Sequence, residues 1–168
     1  MSIVMTRVDA RLIHGQVAVR WTKVTQAAKI VVVDNKTRAD EFLSEILLMA
    51  APRGVEVVIY NEDEAVSNFT DGGYGSKNTI VIFQNVKSAY NCWSKGVKFS
   101  SLNIGQSHKL PERKFNPNNT VHLSSEEMDK LCEMSSNDVE VYFHPTPEDQ
   151  RISFEHALEK ARSQGYNG

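Results

Sequence analysis

The sequence has only two cysteines, Cys92 and Cys132, among its 168 residues. Two separated cysteines are too few for a disulfide framework and lack the clustered spacing of a zinc site. Apolar runs such as 30–33 fall far short of the roughly 20 residues that cross a bilayer. The first residues also lack the basic, apolar and small-residue segments of a secretion signal. These absences predict a protein of the reducing cytoplasm with no membrane-spanning segment.

An excess of positive charge is also missing. The chain has 19 Lys and Arg against 21 Asp and Glu, and its formal net charge is −2. A nucleic acid binds through a broad cationic surface, so nucleic acid is not an expected partner. Hydrophobic residues make up 40% and charged residues 24%, as in ordinary globular proteins. We therefore expect a folded chain, with one domain over residues 1–168.

Short β-branched segments alternate with stretches of helical spacing, which is typical of βαβ units around a mostly parallel sheet. The predicted strands cover 2–8, 30–33, 55–60, 79–83, 101–104 and 139–143. The predicted helices cover 15–23, 40–51, 62–69, 86–95 and 152–162, and a further helix begins after Ser124 with a capping box to Glu127. Residues 111–119 are predicted as a surface loop. The fold class is α/β, with a single open, mostly parallel sheet flanked by helices.

Ligands of an open parallel sheet bind beyond the carboxyl ends of its strands, which directs attention to the loops after the first and fifth strands. The first of these brings together Arg7, Asp9, Arg11 and His14 at a strand-to-helix turn. Guanidinium groups suit phosphate oxygens, and the free N–H groups at a helix start add an anion site. A neutral imidazole nitrogen can attack phosphorus at physiological pH. The loop therefore favours a phosphoryl carrier at His14.

Spacing alone leaves other roles open for these residues. His14 has an alternative role as a capping or loop residue, and either arginine can form a salt bridge with Asp9. Asp34 ends the second strand on the same side, where it either supports Arg11 or His14 or is a turn residue.

The segment at 7–17, RVDARLIHGQV, closely resembles the phosphorylation-site motif of IIB components of the sugar phosphotransferase system (PTS), of the mannose/fructose/sorbose type. Similar segments follow at 31–35, 48–55 and 102–108, so the resemblance covers nearly the whole chain. Two features depart from the family: Ala10 replaces an acidic or polar residue, and 144–147 differs after the last strand. These departures leave partner and sugar preference open.

The resemblance implies a protein-N(pi)-phosphohistidine–sugar phosphotransferase. In that family the histidine of the motif receives a phosphoryl group from a IIA component and passes it to a sugar entering through membrane IIC and IID components. His14 is then the nucleophile, Arg7 and Arg11 stabilise charge, and Asp9 orients the histidine. The residues expected around the phosphate are Gly15, Gln16, Asp34 and His108. No metal or cofactor is expected, and the protein would associate with the inner membrane face through IIC and IID.

The role of His108 stays balanced on the sequence. His108 matches the family's Asn-x-Gly-x-x-His pattern, so it either lines the pocket or makes a hydrogen bond within its own loop. The other histidines, His122, His144 and His156, are assigned surface or capping roles because no pair has metal-ligand spacing. The alternative function is a non-catalytic regulatory or phosphate-binding module of the same fold.

Overall fold

The computed structural model describes residues 3–70 and 75–168 and, of Gln16 and Val17, the backbone alone. Its strands are β1 (Ile3–Asp9), β2 (Lys29–Val33), β3 (Glu56–Tyr60), β4 (Thr79–Phe83), β5 (Ser101–Gln106), β6 (Phe115–Asn118), β7 (Val121–Leu123), β8 (Glu140–Phe143) and β9 (Ile152–Ser153). Its helices are α1 (Gly15–Thr25), α2 (Asn35–Ala39), α3 (Glu41–Met49), α4 (Glu62–Thr70), α5 (Val86–Ser94), α6 (Ser125–Ser136) and α7 (Phe154–Ser163). Ser2, predicted for the first strand, lies outside the described residues.

The larger sheet has the strand order β3-β2-β4-β1-β5-β8-β9. The pairs from β3 to β8 are parallel, and β9 is antiparallel to β8. The predicted class, an open and mostly parallel sheet flanked by helices, is confirmed. Because β1 and β5 are neighbours, their carboxyl ends lie side by side, and Asp9 pairs with Gln106 in the register. The two loops selected from the sequence therefore meet at one edge of the sheet.

The predicted surface loop at 111–119 instead contributes to an antiparallel hairpin of β6 and β7. The sequence of β6 does not predict a strand, because Pro117 and its neighbouring asparagines are residue types that are depleted in strands. The buried side chains of Phe115, Val121 and Leu123 fix the hairpin against the main core. Contacts with residues distant in the sequence thus override the low strand propensity of this segment.

The helix predicted over 40–51 is α3, and the short helix α2 before it was not predicted from the sequence. An aspartate caps each of the two helices. Asp34 caps the short helix α2, because its Oδ2 accepts a hydrogen bond from the Thr37 N–H at 2.8 Å. Asp40 caps α3 in the same way, with Oδ1 accepting from the Leu43 N–H at 3.1 Å. The capping box of Ser124 and Glu127 at the start of α6 is confirmed. At the other end of the chain, the predicted helix from 152 begins with the short strand β9.

The sheet separates two hydrophobic cores. The larger packs α4, α5, α6 and α7 on one face, and the smaller packs α1 and Leu47 of α3 on the other. On its outer side α3 leaves Phe42 and Met49 69% and 85% exposed. The smaller core includes Leu12, Ile13 and Trp21, so it underlies the loop that follows β1. Within the described residues, no helix is long and apolar enough to cross a membrane.

Candidate active site

The turn between β1 and α1 is anchored from below by its apolar residues. Leu12 and Ile13 are 7% and 3% exposed, and the Leu12 N–H donates to the Asp9 carbonyl at 2.9 Å. Leu12 has a φ of +57°, a left-handed conformation that a leucine adopts only when its surroundings hold it there. His14 follows as the N-cap residue of α1, with a side chain that is 21% exposed. The buried turn therefore presents His14 at the surface.

Asp9 is the centre of the site. Its carboxylate is buried, and its Oδ2 lies 3.1 Å from His14 Nε2 and 2.9 Å from Arg7 Nη2. Its Oδ1 accepts a hydrogen bond from the Arg11 backbone N–H at 3.1 Å. Burial opposes ionisation, but the hydrogen bond with His14 and the charge of Arg7 outweigh it and hold the pKa of Asp9 below its ordinary value. Asp9 is therefore a carboxylate that accepts hydrogen bonds on both oxygens.

Arg7 is buried, with only 3% of its side chain exposed. Besides Asp9, its guanidinium donates to the carbonyls of His144 and Pro145 at 3.0 and 2.9 Å. Trp21 Nε1 donates to the same Pro145 carbonyl at 3.2 Å. Burial lowers the pKa of Arg7, and the Asp9 carboxylate opposes that effect. The segment after β8 thus supplies, through His144 and Pro145, the carbonyls that hold Arg7.

Gly105 makes room for this buried arginine. A Cβ built on Gly105 would collide with the Arg7 guanidinium, so no larger residue fits while Arg7 keeps its place. Asn103 lies opposite Arg7 in the register, and its Oδ1 accepts a hydrogen bond from the His144 N–H at 3.1 Å. The sequence pattern Asn-x-Gly-x-x-His includes both Asn103 and Gly105. From the sequence alone, however, only its histidine, His108, was considered as a site residue.

Arg11 differs from Arg7 because its side chain is 51% exposed. Its Nε lies 3.8 Å from Asp9 Oδ1, and its side chain borders a cavity of about 300 Å³. We call this the Arg11 cavity; it is lined by Arg11, Gln106, Ser107, Lys109, Asn119, Thr120 and His122. His122, assigned a surface or capping role from the sequence, reaches it because the hairpin returns beside β5. There Ser107 Oγ donates to the His122 carbonyl at 2.6 Å.

Of the remaining residues predicted around the phosphate, Gly15 and Gln16 follow His14 in the chain, whereas Asp34 lies elsewhere. Gly15 is the first residue of α1 and has a φ of +40°, while the side chain of Gln16 lies outside the described part of the structure. Asp34 is bound to Thr37 as a helix cap, and β4 separates its strand from β1. This placement matches the turn role that the sequence left open for it.

Neither His108 nor a second, larger cavity contributes to the described contacts of Asp9. The His108 side chain is exposed, and its carbonyl accepts a hydrogen bond from Arg113 Nη1 at 2.9 Å. His108 does not line the Arg11 cavity as the described residues define it. A larger cavity of about 500 Å³ lies beside β8 and the start of α7, and neither Asp9 nor His14 lines it. Arg7, Arg11 and His14 therefore gather around Asp9 and not in this larger cavity.

Comparison with known proteins points to one family. The family model described as PTS system sorbose subfamily IIB component matches residues 3–167. The sorbose-specific EIIB component of Klebsiella pneumoniae is 32% identical over 114 residues, which are 68% of this chain and 70% of that protein. The mannose-specific EIIAB component of Escherichia coli (strain K12) is 27% identical over 160 residues, 95% of this chain and 49% of that protein. The chain thus spans about half the length of that curated relative.

Solved structures agree with the sequence relatives. The crystal structure of manxB from Thermoanaerobacter tengcongensis has a TM-score of 0.87 and 34% identity, covering 95% of this chain and 96% of that one. The IIBSor domain of the sorbose permease from Klebsiella pneumoniae has a TM-score of 0.89 and 26% identity, covering 99% and 100%. The likeness therefore extends over the whole sheet and its helices.

Proposed function

Because the chain belongs to the sorbose subfamily of PTS IIB components, we propose that it is a phosphoryl carrier in which His14 is the acceptor. His14 receives the group from a IIA component and passes it to a sugar that enters through membrane IIC and IID components. The observation that carries this proposal is the 3.1 Å contact between His14 Nε2 and the buried Asp9 carboxylate. The alternative of a non-catalytic phosphate-binding module gives that contact no role in chemistry.

Asp9 selects the nitrogen that reacts. An ionised carboxylate only accepts hydrogen bonds, so His14 Nε2 carries the proton and its N–H donates a hydrogen bond to Asp9 Oδ2. The lone pair of the neutral ring is then on Nδ1, away from Asp9. This supports attack from Nδ1, which gives the N(pi)-phosphohistidine expected of a protein-N(pi)-phosphohistidine–sugar phosphotransferase.

The transfer of the phosphoryl group from the IIA component to His14 needs no added base. The donor carries its phosphoryl group on a protonated imidazole ring, and the His14 Nδ1 lone pair attacks phosphorus in line with that P–N bond. The new P–N bond forms as the old one breaks, and the old bonding pair leaves with the donor as a neutral imidazole. The positive charge that develops on the His14 ring lies against the Asp9 carboxylate, which stabilises it.

The two arginines have different parts in this proposal. Arg11 is the exposed guanidinium near His14, so it is suited to bind the equatorial oxygens of the phosphoryl group. Arg7 donates to Asp9 and to two carbonyls, and it therefore acts as a positioning residue that keeps Asp9 ionised and oriented. This replaces the direct role in charge stabilisation that the sequence motif suggested for Arg7.

The second transfer regenerates the carrier. A sugar hydroxyl attacks phosphorus, its proton passes to solvent, and the P–N bonding pair returns to Nδ1.

In this proposal the chain acts as one IIB domain over residues 1–168, in the cytoplasm, and meets the inner membrane face through IIC and IID. The partial exposure of the His14 side chain suits this role because two different partners must reach it in turn.

Labelling separates a carrier from a binding module. We expect phosphoenolpyruvate, the general phosphotransferase proteins and the IIA component to place one acid-labile, base-stable phosphoryl group on the protein. His14→Ala should abolish labelling without loss of the fold, because His14 makes no side-chain capping bond. His108→Ala is the matched control and should label normally. Mass spectrometry at neutral pH is the readout; label retained on His14→Ala, or found at His108, contradicts the assignment.

A further inference from the structure

The Arg11 cavity brings together two cationic side chains and a histidine from three separate segments of the chain. Arg11 comes from the turn after β1, Lys109 from the loop after β5, and His122 from β7. None of the described residues that line it is acidic. In a chain with a net charge of −2, this is a local reversal of sign. Such a surface attracts an anionic group.

The charges in this cavity are not neutralised from within. The carboxylate nearest to Arg11 is Asp9, and it is already engaged by Arg7 and His14. Lys109 is exposed and forms no ion pair within the described part of the chain.

The cavity adjoins the reacting group. Arg11 borders it with its side chain and binds Asp9 through its backbone N–H, and Asp9 in turn contacts His14. A protein that brings a phosphohistidine within bonding distance of His14 must therefore cover Arg11 and its surroundings. The exposed rim residues Lys109 and Thr120 are open to such a partner.

We propose that the Arg11 cavity is a docking site for acidic side chains of the IIA component that phosphorylates His14. The inference rests on the proposed function. A free oxyanion held by exposed side chains gains little, since water and salt screen the attraction. A protein surface excludes that water when it docks, so the same charges contribute to association rate and specificity. A volume of about 300 Å³ suits inserted side chains better than a folded segment.

The loop that carries Lys109 is held in place before docking. Arg113 donates to the His108 carbonyl and forms a largely buried ion pair with Glu127, at 2.6 and 3.0 Å. This pair connects the loop to the first turn of α6. On the other side, Ser107 is hydrogen-bonded to the backbone of His122. The partner therefore meets a preorganised surface, which lowers the entropic cost of association.

Charge reversal at Lys109 tests the proposal with two donors. Phospho-IIA is the protein donor, and phosphoramidate is a small donor that needs no docking surface. We expect Lys109→Glu to raise the KM for phospho-IIA roughly 10-fold and to reduce the salt dependence of kcat/KM. Labelling of His14 by phosphoramidate should stay at the parent rate. Lys98→Glu is the matched control, because Lys98 is exposed just before β5, at the opposite end of the sheet; its KM should match the parent's.

The outcomes distinguish the docking site from the proposed function. A charge-swapped IIA, with an acidic surface residue changed to lysine, should restore the KM of Lys109→Glu and would support the docking site. An unchanged KM for Lys109→Glu overturns the docking site while leaving His14 as the acceptor. Inorganic phosphate that shifts the NMR signals of the cavity residues, with an unchanged KM, also overturns it in favour of a free-oxyanion site. Failure of the parent to label with any donor overturns the proposed function itself.

Discussion

Arg7 and Arg11 flank Asp9 in one short motif, yet the fold treats them in opposite ways. The Arg7 side chain is 3% exposed and binds Asp9 together with two carbonyls from the segment after β8. The Arg11 side chain is 51% exposed, and Asp9 is 3.8 Å from it. A buried cation needs partners on every side, whereas an exposed one remains available to an incoming anion. Identical residue types therefore serve as a support for the site and as a part of its reactive surface.

The largest expected effect comes from removing the buried charge. Arg7→Met should lower the free energy of unfolding by about 3–5 kcal/mol, since it leaves Asp9 buried without its cation. Arg11→Met should change it by less than about 0.5 kcal/mol because the side chain is exposed. Urea denaturation followed by circular dichroism measures both. If Arg7→Met is insoluble, Arg7→Lys should show a smaller loss in the same direction; equal stabilities for the Arg7 and Arg11 variants would contradict the comparison.

Gly105→Ala sharpens the claim that the fold is built around the Arg7 guanidinium. The added Cβ meets that group, so the variant should lose about 1–3 kcal/mol of unfolding free energy. In an Arg7→Met background the loss should shrink, because the colliding group is gone. A double-mutant cycle by urea denaturation measures this coupling. Additive losses would mean that Gly105 matters for a reason unrelated to Arg7.

The exposed arginine is expected to act on rate and not on stability. Arg11→Lys should fold normally but transfer phosphate more slowly, because lysine keeps the charge and loses the fork that matches two phosphate oxygens. Loss of one charge-assisted hydrogen bond, about 1.5–3 kcal/mol, corresponds to roughly a 10-fold or larger fall in rate. Melting curves and phosphorylation time courses against the parent are the measurements. Transfer at the parent rate would remove Arg11 from the phosphate site.

The smallest expected effect is a loss of unfolding free energy at acidic pH that depends on Asp9. The pKa of Asp9 lies below its ordinary value of about 3.9, so its contribution to stability is complete above the unfolded pKa. As the pH falls below that value, the unfolded chain binds a proton first, and the contribution is lost through the lower folded pKa. Urea denaturation between pH 3 and pH 7 on the parent and Asp9→Asn measures it. Asp9→Asn should have the flatter profile; parallel profiles would show that Asp9 is not held ionised.

Local sequence signals anticipated much of the fold. The alternation of β-branched runs and helical spacing predicted the parallel sheet, and Ser124 with Glu127 predicted the start of α6. The hairpin of β6 and β7 was missed, since Pro117 and the asparagines beside it oppose a strand locally. Its pairing depends on buried contacts of Phe115 and Leu123 with residues far along the chain.

For the candidate site, too, one part could be predicted from the sequence and another part could not. The order of residues around His14 is sufficient to place arginine, aspartate and histidine at one strand-to-helix turn, because strand ends and helix starts are local events. The identity of the buried arginine required the folded chain, since Arg7 is bound by carbonyls 137 and 138 positions away. The presence of His122 beside Arg11 likewise depends on the return of a hairpin to the edge of β5. Burial and charge pairing are properties of neighbours in space, and residue order specifies them only through the whole fold.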